Sequence, residues 1–167
     1  MKIRAVSKKE FDRTMASQNI NDDNVEELLT DTWLVSINPS DEVMRVAYAN
    51  SPELQPLFKK DHPRVFRLFF DDVKVETEII LIGGGGTVMA RPMSEDQARD
   101  TFNYLGTVPK DATLLIHCTA GKSRSVAVAH FAAELAGQDP KGIYENDEQV
   151  PNETCLRLLR QHGKKIN

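Results

Sequence analysis

The chain has 167 residues, is 40% apolar and 28% charged, and carries a formal net charge of −4. This length and balance suit one globular domain, residues 1–167, large enough for a real core. The acidic balance argues against a general nucleic-acid binder, which needs a basic face, and no run approaches the ~18 apolar residues of a membrane span.

In chain order, Lys2 to Val6 alternates weakly and suggests an edge strand. Ser7 reads as an N-cap with Glu10 completing a capping box, so a short helix should run to Met15. Asn19 to Asn24 is polar and loop-like, and Val25 to Leu29 suggests a second short helix. Thr32 to Asn38 is rich in β-formers and predicts a strand that Pro39 and Ser40 end. Asp41 to Lys60 gives no clear signal, and Pro52 and Pro56 limit any helix there. Val65 to Phe70 predicts another strand, running into Asp71, Asp72 and Val73. Glu76 to Ile82 suggests a strand, and Gly83 to Gly86 reads as a flexible surface turn, with a mobile flap as the alternative. Ser94 with Gln97 makes a second capping box, predicting a helix to about Leu105. Ala112 to Ile116 is an apolar run typical of a buried strand. Val126 to Ala136 is apolar all round and predicts a buried helix, with Gly137 as its C-cap. His130 within it reads as a core or boundary histidine. Asp139 to Tyr144 suggests a short helix. The last helix starts at Pro151, with Leu156, Leu158 and Leu159 as its apolar set.

Between the buried strand and the buried helix lies His117-Cys118-Thr119-Ala120-Gly121-Lys122-Ser123-Arg124-Ser125. A cysteine ends the strand, and an arginine follows after five intervening residues. The helix N-terminus offers unpaired N–H groups and the positive end of its dipole, which bind phosphate. Successive loop amides add an anion-holding nest. The same field stabilises a thiolate, so Cys118 is expected to be nucleophilic. Arg124 can grip two phosphate oxygens with its planar fork. The Gly-Lys-Ser within the string is not a nucleotide P-loop, because the glycine that motif needs five positions before Gly121 is Ile116. Cys155 reads as core packing, and both cysteines as reduced thiols of a reducing compartment. The start, Met1 to Val6, is too short and too soon polar for a signal peptide, so a cytoplasmic location is expected.

The string resembles the signature loop of the cysteine-dependent protein tyrosine and dual-specificity phosphatases, particularly bacterial or phage-type members. The likeness is firm over Thr113 to Ala136 and suggestive at Thr32 to Asn38, Val65 to Val73 and Pro151 to Leu159. It implies that Cys118 forms a phosphocysteine and that Arg124 binds the phosphoryl group. It also implies that Ser125 assists thiolate release and that His117 holds the loop. Thr119, Ala120, Gly121, Lys122 and Ser123 would line the phosphate site with Arg124. Neither a cofactor nor a metal is implied.

The leaving oxygen needs a proton, usually from a carboxylic acid. The Trp-Pro-Asp loop of tyrosine-specific members is absent, since Trp33 precedes Leu34. Asp72, at the end of a strand whose alternation would turn one of the pair inward, is the first choice. Asp71 is the runner-up, while Asp96 and Asp100 sit on a helix and read as solvated face. The separation from Asp72 to Cys118 is longer than the family usually shows, and Glu76 to Gly86 could be an insertion. Lys122 beside the arginine is a feature of members acting on phosphoinositides, although a solvated lysine at a helix start reads the same way.

The expected fold is α/β: a central, largely parallel sheet with helices on both faces and the signature loop between a strand and a helix. The expected function is hydrolysis of phosphate monoesters, on phosphotyrosine or mixed phosphoprotein substrates or a small phosphate ester. The alternatives are a phosphoinositide or RNA 5′-phosphatase, and a pseudophosphatase that binds phosphate without turnover.

Overall fold

Four parallel strands, in the order β1-β6-β2-β3, carry the molecule: β1 (Lys2–Ser7), β6 (Thr113–Cys118), β2 (Thr32–Asn38) and β3 (Val65–Phe69). They belong to a computed structural model that describes residues 1–81 and 86–164. β1 is an edge strand, as its weak alternation suggests, and β6 is central. A parallel sheet is covered on both faces, so its inner strands read as continuous apolar runs. In β6, Leu114 and Ile116 face one core and Leu115 the other.

The first core is closed by α4 (Glu95–Thr107), α5 (Arg124–Leu135) and α6 (Glu153–Lys164). α5 is buried over nearly its whole length, from Arg124 to Ala133, with only His130 partly exposed. Its small side chains, Ala and Val, let it lie between the sheet and α6. The second core is closed by α1 (Lys8–Ser17) and α2 (Val25–Leu28), through Phe11, Met15 and Val25, with Phe58 from the loop before β3.

Several boundaries differ from the sequence reading. Ser7 accepts from the Glu10 amide, but Glu10 turns its carboxylate to Arg4 rather than completing the capping box. At Ser94 both halves of the box form. The uninformative stretch after Ser40 holds α3 (Asp41–Ala47), capped by Ser40, and a 3₁₀ turn at Pro52–Leu54. The expected strand after Glu76 is β4 (Thr77–Ile80), which pairs antiparallel with an unforeseen β5 (Thr87–Ala90). This hairpin is separate from the main sheet and packs Val88 and Ala90 against Val43 of α3. Of the glycine run, Gly86 adopts φ +86°, and Gly83 to Gly85 lie outside the described residues. The stretch from Asp139 forms a 3₁₀ turn, Pro140–Ile143. α6 starts at Glu153 rather than Pro151, because Asn152 takes the capping position and its Oδ1 accepts from the Cys155 amide. No described helix is long and apolar enough to cross a membrane.

Candidate active site

β6 ends at Cys118, α5 starts at Arg124, and the five residues between them turn the chain at Gly121. Gly121 has φ +73°, and a Cβ there would lie 2.5 Å from the Ser7 nitrogen and 2.6 Å from the Val6 carbonyl carbon. Only glycine fits a left-handed turn pressed so closely on another backbone. The turn aims the Gly121 N–H at Cys118 Sγ, 3.3 Å away, and Ser125 Oγ lies 3.2 Å from the same sulfur. Two hydrogen-bonding groups thus converge on a thiol that is 2% exposed. The Lys8 amide donates to the Thr119 carbonyl at 3.3 Å and fastens the loop to α1.

Behind the loop, His117 shares a 2.8 Å hydrogen bond with Ser36 Oγ and packs its ring 4.1 Å from that of Phe11. Burial, together with the nearby charges of Lys8 and Arg124, holds its pKa down at about 3, so the imidazole is neutral. Asn38 donates to the Ser36 carbonyl and hydroxyl at 3.1 and 3.2 Å. Arg124 is buried in turn. Its Nη1 donates to the Phe70 carbonyl at 2.7 Å and the Asn38 carbonyl at 3.4 Å, and its Nη2 to Thr119 Oγ1 at 2.9 Å. Its Nε has no protein partner among the described residues. These bonds fix the plane of the guanidinium while leaving donor capacity on its Nε edge.

Cys118, Thr119, Ala120, Ser123 and Arg124 line a cavity of about 300 Å³ at the carboxyl end of the sheet, where open α/β sheets bind ligands. Its apolar wall includes Pro39, Val43, Tyr48, Val73 and Ile79, and both Asp71 and Asp72 border it. The two aspartates are used differently. Asp71 is buried, with one carboxylate oxygen accepting from the Ser40 amide at 3.0 Å and the other from the Arg91 amide at 2.9 Å. Asp72 is exposed, and its Oδ1 accepts from Ser123 Oγ and from Asn152 Nδ2, both at 2.8 Å. The alternation argument therefore does not decide between them: β3 ends at Phe69, and the residue that turns inward is Asp71. Hydrogen bonding separates the pair, because Asp71 spends both oxygens on backbone and Asp72 only one on its neighbours.

No family model and no curated protein matches the chain. Two solved structures align with it. A human tyrosine phosphatase-like serine/threonine/tyrosine-interacting protein is 16% identical, with 85% of this chain and 82% of that chain covered and a TM-score of 0.48. PTPMT1 is 14% identical, with 99% of this chain and 91% of that chain covered and a TM-score of 0.45.

The remaining candidates lie elsewhere. Lys122 keeps its backbone in the loop, but its Nζ pairs with Glu148 at 2.5 Å, outside the cavity lined by Cys118. Asp96 and Asp100 both pair with Arg99 on the exposed side of α4. Cys155 is fully buried with its thiol pushed up by burial, and its sulfur lies 3.7 Å from Met93 Sδ. His130 sits at the core boundary, bonded to Tyr144 and Glu134. Four supporting residues escaped the sequence reading: Ser36, Asn38, Gln149 and Asn152. Gln149 donates to the Ala5 and Gly121 carbonyls at 3.3 and 3.1 Å, clamping the loop from outside. Ser36 and Asn38 had a legible signal: polar residues alternating at the end of an otherwise apolar strand. Gln149, in an irregular segment, had none.

Proposed function

We propose that this chain hydrolyses phosphate monoesters through a phosphocysteine, on phosphotyrosine or mixed phosphoprotein substrates, in a reducing compartment such as the cytoplasm. The observation that carries the reading is the convergence on one buried sulfur. The Gly121 N–H and the Ser125 hydroxyl meet at Cys118 Sγ, and Arg124, held on three sides, borders the same cavity with its Nε unpaired. Loop amides, helix terminus and guanidinium together would hold a phosphoryl group over the sulfur and neutralise the charge spread on its equatorial oxygens.

In the first step the Cys118 thiolate attacks phosphorus. The S–P bond forms, the P–O bond to the leaving group breaks, and Asp72 gives its proton to the departing oxygen. In the second step water attacks phosphorus, Asp72 takes a proton from it, the S–P bond breaks, and inorganic phosphate leaves. The Ser125 hydroxyl donates to the sulfur as it regains negative charge.

The cavity is bordered by one guanidinium and two carboxylates, with Lys122 engaged by Glu148 outside it. That balance favours a monophosphate on a weakly charged, apolar body over a polyphosphorylated lipid headgroup or an RNA end. The apolar wall suits an aryl group. The test is turnover of an aryl phosphate that vanadate inhibits and a chelator leaves unchanged. Cys118→Ser should abolish turnover while inorganic phosphate still binds, since the hydroxyl is barely ionised near neutral pH. Residual activity within about tenfold of the parent, only ~1.4 kcal/mol of barrier, would overturn the mechanism.

A further inference from the structure

We infer that Asn152 is a positioning residue that aims the Asp72 carboxyl at the leaving group; this rests on the reading of Asp72 as the general acid. Asn152 is 8% exposed and all of its polar groups are engaged. Its backbone N–H donates to the Ser123 carbonyl at 3.2 Å, and its own carbonyl accepts from the Leu156 amide at 3.0 Å. Its side-chain Oδ1 accepts from the Cys155 amide at 3.0 Å, capping α6, and Nδ2 donates to Asp72 Oδ1 at 2.8 Å. One residue thus ties the start of a helix, the signature loop and the acid together, the loop through its backbone N–H and the other two through its side-chain amide.

The chemistry follows from where the donors point. Ser123 Oγ and Asn152 Nδ2 both address Asp72 Oδ1. That oxygen is committed as an acceptor, so the proton of the neutral carboxyl sits on Oδ2, which has no bond to any other described residue. A carboxyl free to rotate would present either oxygen; this one presents the protonated one. The next residues of α6 reinforce the hold. Thr154 Oγ1 donates to the Lys74 carbonyl at 2.9 Å, and Glu153 pairs with Lys74 at 2.7 Å. The acid loop therefore rests on the first turn of α6. The charged groups about the acid are Arg124 and Asp71 in the catalytic cavity, and Lys74, Lys122, Glu148 and Glu153 in the hollow beside it.

Capping and clamping can be separated, because serine caps a helix as well as asparagine but is too short to reach Asp72. Asn152→Ser should keep the melting temperature near the parent's. It should slow hydrolysis of alkyl phosphates, whose leaving groups need a proton, by roughly 10–100-fold, the scale of a misplaced reacting group. Activated aryl phosphates should slow by less than about threefold. Asn152→Asp also caps, but sets a second carboxyl against the acid. The descending limb of its pH–rate profile should then move to higher pH, by about one unit or more. A loss equal for both leaving-group classes, or an unmoved pH limb in the aspartate variant, would overturn the inference. Asp72→Asn run alongside separates the two ideas: without leaving-group selectivity in that variant, the acid assignment itself fails. Selectivity there but not in Asn152→Ser would defeat only the positioning role.

Discussion

Replacing Gly121 by alanine tests the part of the site most tightly set by geometry. Two costs add. The first is conformational: φ +73° in a residue with a Cβ costs ~1–2 kcal/mol. The second is steric. The new methyl would sit 2.5 Å from the Ser7 nitrogen and 2.6 Å from the Val6 carbon, where ordinary contact needs about 3.5 Å. Both neighbours are backbone at the end of β1 and cannot rotate away, so loop and strand must part by roughly 1 Å, an overpacking worth ~1–3 kcal/mol. The expected destabilisation is about 2–5 kcal/mol, a large share of the ~5–15 kcal/mol that holds a domain folded. The same displacement pulls the Gly121 N–H from Cys118 Sγ and its carbonyl from Gln149, so the folded fraction should lose ~10²-fold in kcat/KM. Two glycines serve as controls. Gly137, at φ +67° with nothing within 4 Å, should show only the conformational cost on Gly137→Ala. Gly106, inside α4 with open space around it, should be neutral or stabilised by up to ~1 kcal/mol. Urea unfolding of the three variants, with kinetics on an aryl phosphate, gives the comparison. If Gly121→Ala costs no more than Gly137→Ala and keeps its rate, the close approach of loop and strand is refuted.

Arg124→Lys keeps the charge but loses the fork and its three fixing bonds; a loss of roughly a hundredfold or more in kcat is expected, and near-parent kinetics would remove Arg124 as the phosphate clamp. Asp72→Asn should slow substrates with poor leaving groups by about 10²–10⁴-fold and activated ones far less. Asp71→Asn should instead lower stability by ~1–3 kcal/mol, because its single carbonyl oxygen cannot serve both the Ser40 and Arg91 amides, and should slow all leaving groups alike; leaving-group selectivity in this variant would make Asp71 the acid. His117 is neutral in the fold down to about pH 3, whereas in the unfolded chain it protonates near 6.5. Its contribution is complete above 6.5 and lost as pH falls toward 3, by about 1.4 kcal/mol per pH unit. The difference in unfolding free energy between the parent and His117→Gln, measured from pH 7 to 5, should shrink by about 2 kcal/mol, approaching that slope only below pH 6.5; parallel curves would refute the buried neutral histidine.

The local sequence was sufficient for the parts of this protein that local physics controls. The apolar run into Cys118, the all-round apolar helix after it and the glycine turn between them specify a strand, a tight turn and a helix terminus. The Ser94 box formed because both its partners lie within one helical turn. The Ser7 box failed because an arginine on the preceding strand competed for Glu10, and β5 went unseen because its four residues gain their partners only by folding back on β4. The choice between two adjacent aspartates lay beyond any periodicity, since the strand stops before them. What separates them is the Ser40 and Arg91 amides around one, and Ser123 and Asn152 around the other. Hydrogen bonds to residues 20 to 80 positions away leave no periodic trace in a chain, so only the tertiary structure shows these partners.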